Sequence, residues 1–324
     1  MAQTERIGIL TSGGDAPGMN AAIRSVVRVA IEEGYEVIGF LRGYNGLIED
    51  DYVELTVRSV SDIIHRGGTI IYTARCDEFR TVEGRQKAAE VCRKHNLKGL
   101  VVIGGDGTFT GALALTREHG INCVGIPATI DNDIGATDYS IGFDTAVNTA
   151  AEMVDKIRDT SQSHDRCTVV EVMGRHAGYI ALDTGMATGA TAILIPEIPF
   201  DFETDVIGRI RETMANGKKH FIIMVAEGVG GVSDMAKEIG KRLNIEARAS
   251  VLGYVQRGGS PTAKDRVIAS LMGYRAIDLL NNNIKSRVVI YKNDRVLDAD
   301  IEEALATKKS ISIDTYDFSK QINS

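Results

Sequence analysis

The chain of 324 residues carries no excess of basic side chains: 37 lysines and arginines stand against 44 acids, a formal net charge of -7. A nucleic-acid binder needs a cationic face for its phosphate contacts, so that class is set aside. Long apolar runs are also missing, and none reaches the roughly 18 residues that a membrane span requires. The opening MAQTERIGIL has none of the three regions of a secretory signal, so the expected location is cytoplasmic. Only four cysteines occur, Cys76, Cys92, Cys123 and Cys167, and no CxxC spacing links them, which argues against a disulfide framework or a structural zinc site. Cys123, within an apolar run, reads as a small core residue. Nor does any low-complexity linker or charge block divide the chain.

What is present is the composition of a soluble globular protein, with 44% hydrophobic and 25% charged residues. The length exceeds what one hydrophobic core usually serves and favours two domains. Short β-branched runs alternate with helical patterns, the signature of a parallel sheet covered on both faces. RIGIL leads through TSGGDAPGMN into AAIRSVVRVAIEEG, where Ile23, Val27, Ala30 and Ile31 recur at helical spacing and Gly34 is a stop. EVIGF, a polar turn region and SDIIHRGGTIIYTAR follow, then the helix RQKAAEVCRKH, the run LKGLVVIGGDGTF, the helix GALALTREHG and the run INCVGIP. A second series starts with the helix DTAVNTAAEMVDKIRD and continues through CTVVEV, TAILIP, HFIIMVAEG and RASVLGYV. VVIYKNDRV, with Asn293-Asp294 at its turn, predicts a late peripheral hairpin. The expected fold is therefore α/β: two doubly wound α/β/α domains with mostly parallel sheets. The expected division assigns residues 1–140 and 256–305 to one domain and 141–255 and 306–324 to the other.

Ligands of such sheets sit beyond the carboxyl ends of the strands, and three runs of the first half end in SGGD, GGDG and TIDND. Gly13 and Gly14 allow a tight strand-to-helix turn suited to a phosphate, although the spacing is neither GxGxxG nor GxxxxGK[ST]; a merely connecting turn is the equal alternative. In GGDGT, Asp106 is a hard oxygen ligand for Mg²⁺, or a helix cap, or both. PATIDNDI sets Asp131 and Asp133 two residues apart with no cation nearby in sequence. Should these acids meet Asp106 on neighbouring strands, a divalent cation would satisfy one or two of them, and another could accept a proton from an attacking hydroxyl. An Asx-rich turn is the plain alternative. Arginines at other strand ends, Arg75, Arg166, Arg175, Arg248 and Arg257, could together hold phosphorylated ligands, since guanidinium binds phosphate oxygens bidentately and stays charged.

TSGGDAPGMNAAIR, HRGGT, GGDGT, TIDNDI, GFDTA, EVMGRHAGY, KKH, AEG and LGYVQRGGSP, in that order and over nearly the whole chain, resemble the ATP-dependent bacterial 6-phosphofructokinase family. The resemblance implies transfer of the γ-phosphoryl group of MgATP to the 1-hydroxyl of fructose 6-phosphate. It casts Asp131 as the general base, Asp106 as the Mg²⁺ ligand and Asp133 as support for the metal and the transferring group, with Gly14, Thr129 and Arg175 in the catalytic set. Gly14, Arg75, Cys76, Gly105, Asp106, Gly107 and Thr108 match the nucleotide site. Thr129, Ile130, Asp131, Met173, Gly174, Arg175, Glu227 and Tyr254 match sugar contacts, and Arg166, Arg248 and Arg257 match the 6-phosphate site. Family members draw the equivalents of Arg166 and Arg248 from an adjacent subunit, which implies a homotetramer. Arg24, Arg28, Arg158, Lys218, Lys219 and His220 match an effector site for ADP or phosphoenolpyruvate.

The departures are informative. Gly107 stands where relatives that use pyrophosphate carry aspartate, which would crowd and repel an α-phosphate, so ATP is the expected donor. Ala128 replaces the usual glycine, which an ordinary backbone angle would tolerate. Tyr254 replaces a histidine of the sugar-phosphate site, predicting a weaker hold on the sugar. Thr191 replaces the glutamate that helps hold the effector's metal, and Asn216 and Val57 replace basic residues, so regulation is expected to be blunted or altered in sign. The rival readings are another kinase sharing GGDGT, such as a lipid or NAD kinase, and a catalytically silent nucleotide-binding subunit. MGR, Glu227 and QRGGSP oppose the first, and the intact acids oppose the second.

Overall fold

The computed structural model describes residues 5–322, and the chain separates into two compact units. One comprises Met1–Thr129, Ile134–Asp144 and Arg257–Lys309, the other Ile130–Asp133, Thr145–Gln256 and Ser310–Ser324. The stretch Ile130–Asp133 is thus grouped apart from the residues on either side of it.

The elements follow in chain order. β1 (Arg6–Thr11), α1 (Met19–Glu32), β2 (Glu36–Phe40), α2 (Tyr44–Glu49), β3 (Tyr52–Leu55), α3 (Val82–Lys94), β4 (Leu97–Gly104), α4 (Asp106–His119) and β5 (Cys123–Pro127) come first. α5 (Phe143–Ser163), β6 (Cys167–Val172), α6 (Tyr179–Ala187), β7 (Ala192–Leu194), α7 (Arg209–Ala215), β8 (Phe221–Ala226), α8 (Val232–Leu243) and β9 (Ala247–Val251) occupy the middle. α9 (Ala263–Asn281), β10 (Arg287–Lys292), β11 (Arg295–Asp300), α10 (Ile301–Ala306) and α11 (Ile313–Ile322) complete the chain.

The first unit holds a seven-stranded sheet ordered β11-β10-β5-β4-β1-β2-β3. Its five inner strands are parallel, and the edge strands β3 and β11 run antiparallel to their neighbours. Side chains alternate across a strand, so both faces of β1 and β4 must be apolar if helices cover both. They are. Leu10, Leu100 and Val102 join a core with Phe40, Leu47, Ala88, Phe109 and Leu115, while Ile7, Ile9, Val101 and Ile103 are fully buried on the opposite parity, where α1 and α9 pack together on the sheet. Tyr44 and Phe79 stack in that first core with centroids 3.8 Å apart. Cys123 is fully buried in it and all four cysteines are free thiols. The late hairpin forms as its turn residues required, with Asn293 and Asp294 at φ 51° and 58° between β10 and β11.

The second unit carries a four-stranded parallel sheet ordered β7-β8-β6-β9. Val169, Leu194, Phe221, Ile223 and Val225 form its core with Ile207, Ile210 and Ile239, and a π-helical turn, Phe202–Gly208, supplies part of that wall. Residues 56–77, which include the β-branched stretch SDIIHRGGTIIYTAR, form no strand and cross the surface as turns. Among the described residues no helix is long and apolar enough to cross a membrane.

One buried acid fixes the path of the chain after the TIDND stretch. Asp265, fully buried in the first turn of α9, accepts the Tyr139 hydroxyl at 2.6 Å and the Gly142 amide at 2.7 Å. Asp265→Ala strands a phenol and an amide in the interior, and the expected loss is about 2–4 kcal/mol. Urea unfolding should show this as a lower midpoint at unchanged slope; a midpoint within error of the parent protein contradicts it.

Candidate active site

The order of the first sheet reverses around β1, with β4 on one side and β2 on the other, so the tips of β1, β4 and β5 lie at the switch point. Backbone bonds bring these tips out of the sheet together: Ser12 N donates to Ile103 O at 3.0 Å and Ala128 N to Gly104 O at 3.0 Å. The Thr108 hydroxyl then crosses from the start of α4 to donate to Ser12 O at 3.1 Å. Such an approach leaves no room for a side chain at Gly104, whose β-carbon would stand 2.5 Å from Ser12 O and 2.4 Å from Thr108 Oγ1. Gly14 lies against the guanidinium of Arg257, and Gly105 faces the side chain of Thr129, whose amide donates to Ser140 Oγ at 2.8 Å.

The irregular segment carrying Arg75 and Cys76 is laced onto these tips by side chains. Thr11 Oγ1 donates to Tyr72 O at 2.8 Å, and Thr73 Oγ1 donates to Gly13 O at 3.0 Å. Asn20 closes a loop, donating to Arg66 O and Gly67 O and accepting from Ile70 N at 2.8 Å. Arg75 itself is exposed. The first unit thus gathers Gly14, Gly105, Thr108, Thr129 and Arg257 around the N-terminus of α4, where unsatisfied N–H groups and the helix dipole favour an anion. Asp106 opens that helix and is exposed, and apart from Gly107's chain neighbours and its own helix backbone no described atom lies within 4 Å of where a β-carbon on Gly107 would stand. Ala128 accommodates its methyl in the buried interior with an ordinary negative φ.

The second unit contributes the ends of β6 and β8. Glu227 N donates to Val172 O at 2.9 Å, which sets Glu227 beside the Met173-Gly174-Arg175 turn. Met173 N donates to Oε1 of the fully buried Gln256 at 3.3 Å, and Gln256 Nε2 donates to Gly253 O, fixing the turn that presents Tyr254, itself 79% exposed. Gly174 has φ 143° and its neighbour Arg175 φ 57°. A left-handed arginine costs about 1–3 kcal/mol and persists only where its surroundings impose it; here the Arg175 carbonyl lies against Gly228, where a β-carbon would come within 2.6 Å. Burial, and then the charge of Glu227, raises the carboxyl of Glu171. Burial, then the charges of Glu197 and Asp133, pushes the Tyr179 phenol up to about 12, which places Asp133 in the field of the first turn of α6.

Two further groups assemble in this unit. Arg166 and Arg248 both bind Glu246, with Arg166 Nε at 2.7 Å and Arg248 Nη2 at 2.6 Å. Arg158, which donates to Thr188 O, shares its field with Lys218 and His220. Arg24 and Arg28 are half-buried on α1 in the first unit, as Arg257 is near Gly14. Asp106 belongs to the first unit, and Asp131 and Asp133 to the second. Among the described residues no three His, Cys, Asp or Glu side chains are grouped as a metal site. Sequence reading passed over Asn20, Ser140, Glu246 and Gln256. Asn20 and Gln256 act through backbone partners 46 to 83 positions away, which no local pattern reveals, whereas Glu246 and Arg248 stand at spacing two and could have been paired.

The family model described as Phosphofructokinase matches residues 6–280. The chain is 56% identical over 319 residues to the ATP-dependent 6-phosphofructokinase of Bacillus cytotoxicus, covering 98% of this chain and 99% of that protein. The protein of the same name from Halalkalibacterium halodurans is 54% identical over the same shares. Among solved structures, the phosphofructokinase of Pichia pastoris in the T-state superimposes with a TM-score of 0.89 at 35% identity, over 99% of this chain and 37% of that one. This chain therefore spans well under half the length of that yeast chain.

The cationic group in the second unit has a measurable pH signature. Burial, then the charges of Lys218 and Arg158, holds His220 below its ordinary value of 6.5, with Asp165 opposing. On acidification the unfolded chain takes up this proton before the folded one does. The stability tied to neutral His220 is complete above the unfolded value and is lost as pH falls through the folded one. His220→Gln should therefore match the parent Tm at about pH 8 and exceed it at about pH 5. An equal difference at both pH values refutes the assignment.

Proposed function

The chain belongs to the phosphofructokinase family, and from that premise we propose that it transfers the γ-phosphoryl group of ATP to the 1-hydroxyl of fructose 6-phosphate, giving fructose 1,6-bisphosphate and ADP. The observation that carries the donor half is the anion-ready turn at the tips of β1, β4 and β5, with Asp106 in the first turn of α4 and open space beside Gly107. Gly14, Arg75, Cys76, Gly105, Gly107 and Thr108 would cradle the nucleotide. Space beside Gly107 supports a donor with an α-phosphate.

Asp106 offers the hard oxygen that Mg²⁺ prefers, on an exposed side chain at a helix start, so the residue fits the ion. Bound there, Mg²⁺ supplies neutralisation of phosphate charge. In the proposed reaction the carboxylate of Asp131 accepts the proton of the sugar 1-hydroxyl. The sugar 1-oxygen bonds to the γ-phosphorus, and the bond from that phosphorus to the β-phosphate oxygen breaks with its electron pair left on ADP. Arg175 would balance the charge of the group in flight, with Asp133 in support. Thr129, Ile130, Met173, Gly174 and Glu227 would hold the sugar, and Arg166, Arg248 and Arg257 its phosphate. Tyr254 offers that phosphate only a neutral hydroxyl where relatives offer a histidine.

A coupled assay pairing ATP or pyrophosphate with fructose 6-phosphate should show turnover with ATP alone. Asp131→Asn should lower kcat by about 100- to 10,000-fold with both KM values within a few fold. Turnover with pyrophosphate as the better donor, or a fully active Asp131→Asn, overturns the reading, and activity of any kind removes the silent-subunit alternative.

Regulation is proposed to be weak. Thr191, at the position of the family's metal-holding glutamate, is 1% exposed and carries a hydroxyl in place of the carboxylate that would hold an effector's metal. Arg158, Lys218, Lys219 and His220, with Arg24 and Arg28, still supply cations for an anionic ligand such as ADP or phosphoenolpyruvate. On cytoplasmic enzyme shown to be tetrameric by sedimentation velocity, phosphoenolpyruvate titrated at subsaturating fructose 6-phosphate should inhibit shallowly, with a Hill coefficient near one. Steep cooperative inhibition defeats this proposal.

A further inference from the structure

β6 and β9 run parallel with Cys167 opposite Ala247 and Thr168 opposite Arg248, and Cys167 N donates to Glu246 O at 2.9 Å. This register sets Arg166 and Glu246 side by side where the two strands begin. Arg248, two residues further on, projects from the same strand face as Glu246. The carboxylate is divided between the two arginines. Oε2 accepts from Arg166 Nε at 2.7 Å, while Oε1 accepts from Arg248 Nη2 at 2.6 Å and Nε at 3.0 Å. These bonds, to Arg166 first and then Arg248, hold the Glu246 carboxyl below its ordinary range.

Guanidinium groups in such an arrangement repel one another unless an anion lies between them, and they grip any oxyanion that presents paired oxygens. Here the chain supplies that anion itself. We propose that Glu246 is an internal counter-anion and specificity-determining residue: it spans Arg166 and Arg248 so that a phosphate dianion displaces it, while a monoanion or a neutral hydroxyl does not. The inference rests on the reading that these two arginines receive the phosphate of the sugar. Its physical basis is the balance of charge and exposure. The side chains are 27% (Arg166), 41% (Glu246) and 67% (Arg248) exposed, so the two ion pairs are screened and reversible. A dianion brings twice the charge of the carboxylate and an additional acceptor oxygen, and it takes over both arginines when Glu246 swings away into water. A ligand with one charge gains nothing by the exchange. The cost of releasing Glu246 is therefore charged to every ligand and recovered by phosphorylated ones alone.

The test is Glu246→Gln, which keeps the shape and removes the charge. KM for fructose 6-phosphate should fall about three- to fivefold, the worth of one to two exposed ion pairs, with the change falling on KM rather than kcat. Calorimetric titration of fructose 6-phosphate without nucleotide should show the same gain in Kd. A KM and Kd that are unchanged or raised overturn the proposal, because they would make Glu246 an organiser of the arginines or a bystander. Glu246→Asp, too short to span both arginines, should move KM in the same direction by less, and a rise there is equally fatal; this variant serves if the glutamine protein fails to fold. Arg248→Ala separates this inference from the reading beneath it. If Arg248→Ala leaves KM for the sugar phosphate unaltered, the phosphate assignment of the arginines fails. If it raises KM while Glu246→Gln does not lower it, the counter-anion idea fails alone.

Discussion

The hydrogen bond from Thr108 Oγ1 to the Ser12 carbonyl is the constraint on which the donor side of the site depends. It joins the tips of two neighbouring parallel strands beyond the last backbone bond between them, Ser12 N to Ile103 O, and so extends the pairing past the end of the ladder. The bond exists because Gly104 has no side chain, since a single methyl would meet both partners at under 3 Å. Holding those tips together aligns the start of α4 with the glycine turn after β1. The same amide-rich concavity then receives the lacing of the irregular segment from Thr69 to Ala74. The phosphate site proposed there, built on strand ends and closed by side-chain bonds to backbone, would need few charged residues of its own, which suits a chain that is acidic as a whole.

Charge in the second unit is organised differently. There the site residues are separate side chains whose positions depend on special backbone. Arg175 occupies a left-handed conformation, fixed by Gly174 on one side and by Gly228 beneath its carbonyl. Strain of this kind at a residue assigned to the phosphoryl path is what a preorganised electrostatic group requires, because a relaxed loop would have to order itself in each turnover. Glu171 and Glu227 lie near that turn, and burial, then the charge of Glu227, raises the Glu171 carboxyl. Cations are kept apart in two groups: the arginines on Glu246, which are neutralised internally, and the Arg158, Lys218 and His220 group, in which burial and then neighbouring positive charge lower the proton affinity of Lys218 and His220.

Much of this was legible in the residues, and the reasons for the gaps are physical. Strands buried on both faces announce themselves as unbroken apolar runs, which is why β4, β5, β6 and β8 stand where LVVIG, CVGIP, CTVVEV and FIIMVA occur. The hairpin was legible because two consecutive positive-φ positions need residues like Asn293 and Asp294. By contrast, SDIIHRGGTIIYTAR has β-branched residues without a partner strand. Thr11 and Asn20 satisfy its backbone groups at Tyr72, Arg66, Gly67 and Ile70, its own Thr73 donates to Gly13 O, and side-chain bonds across 46 to 61 positions leave no local trace. Asp265 was invisible for the same reason, since a buried acid that accepts from residues more than 120 positions away looks in sequence like an ordinary first-turn carboxylate. The motifs GGDGT and TIDND gave residue types but could not say that Asp106 and Asp131 fall in different compact units.

A cation held entirely by protein would need several ligands, and among the described residues no three His, Cys, Asp or Glu side chains are grouped as a metal site. In the proposed reading Asp106 alone represents the protein toward Mg²⁺, which by its small size and reluctance to dehydrate suits one carboxylate completed by water and phosphate oxygens. On that reading the ion would arrive with the nucleotide, and the proposed donor site would recognise a charge-compensated polyphosphate. In the proposed reading Asp131 should not itself coordinate the ion, because a carboxylate assigned to accept a proton would become a poorer base on binding a divalent cation.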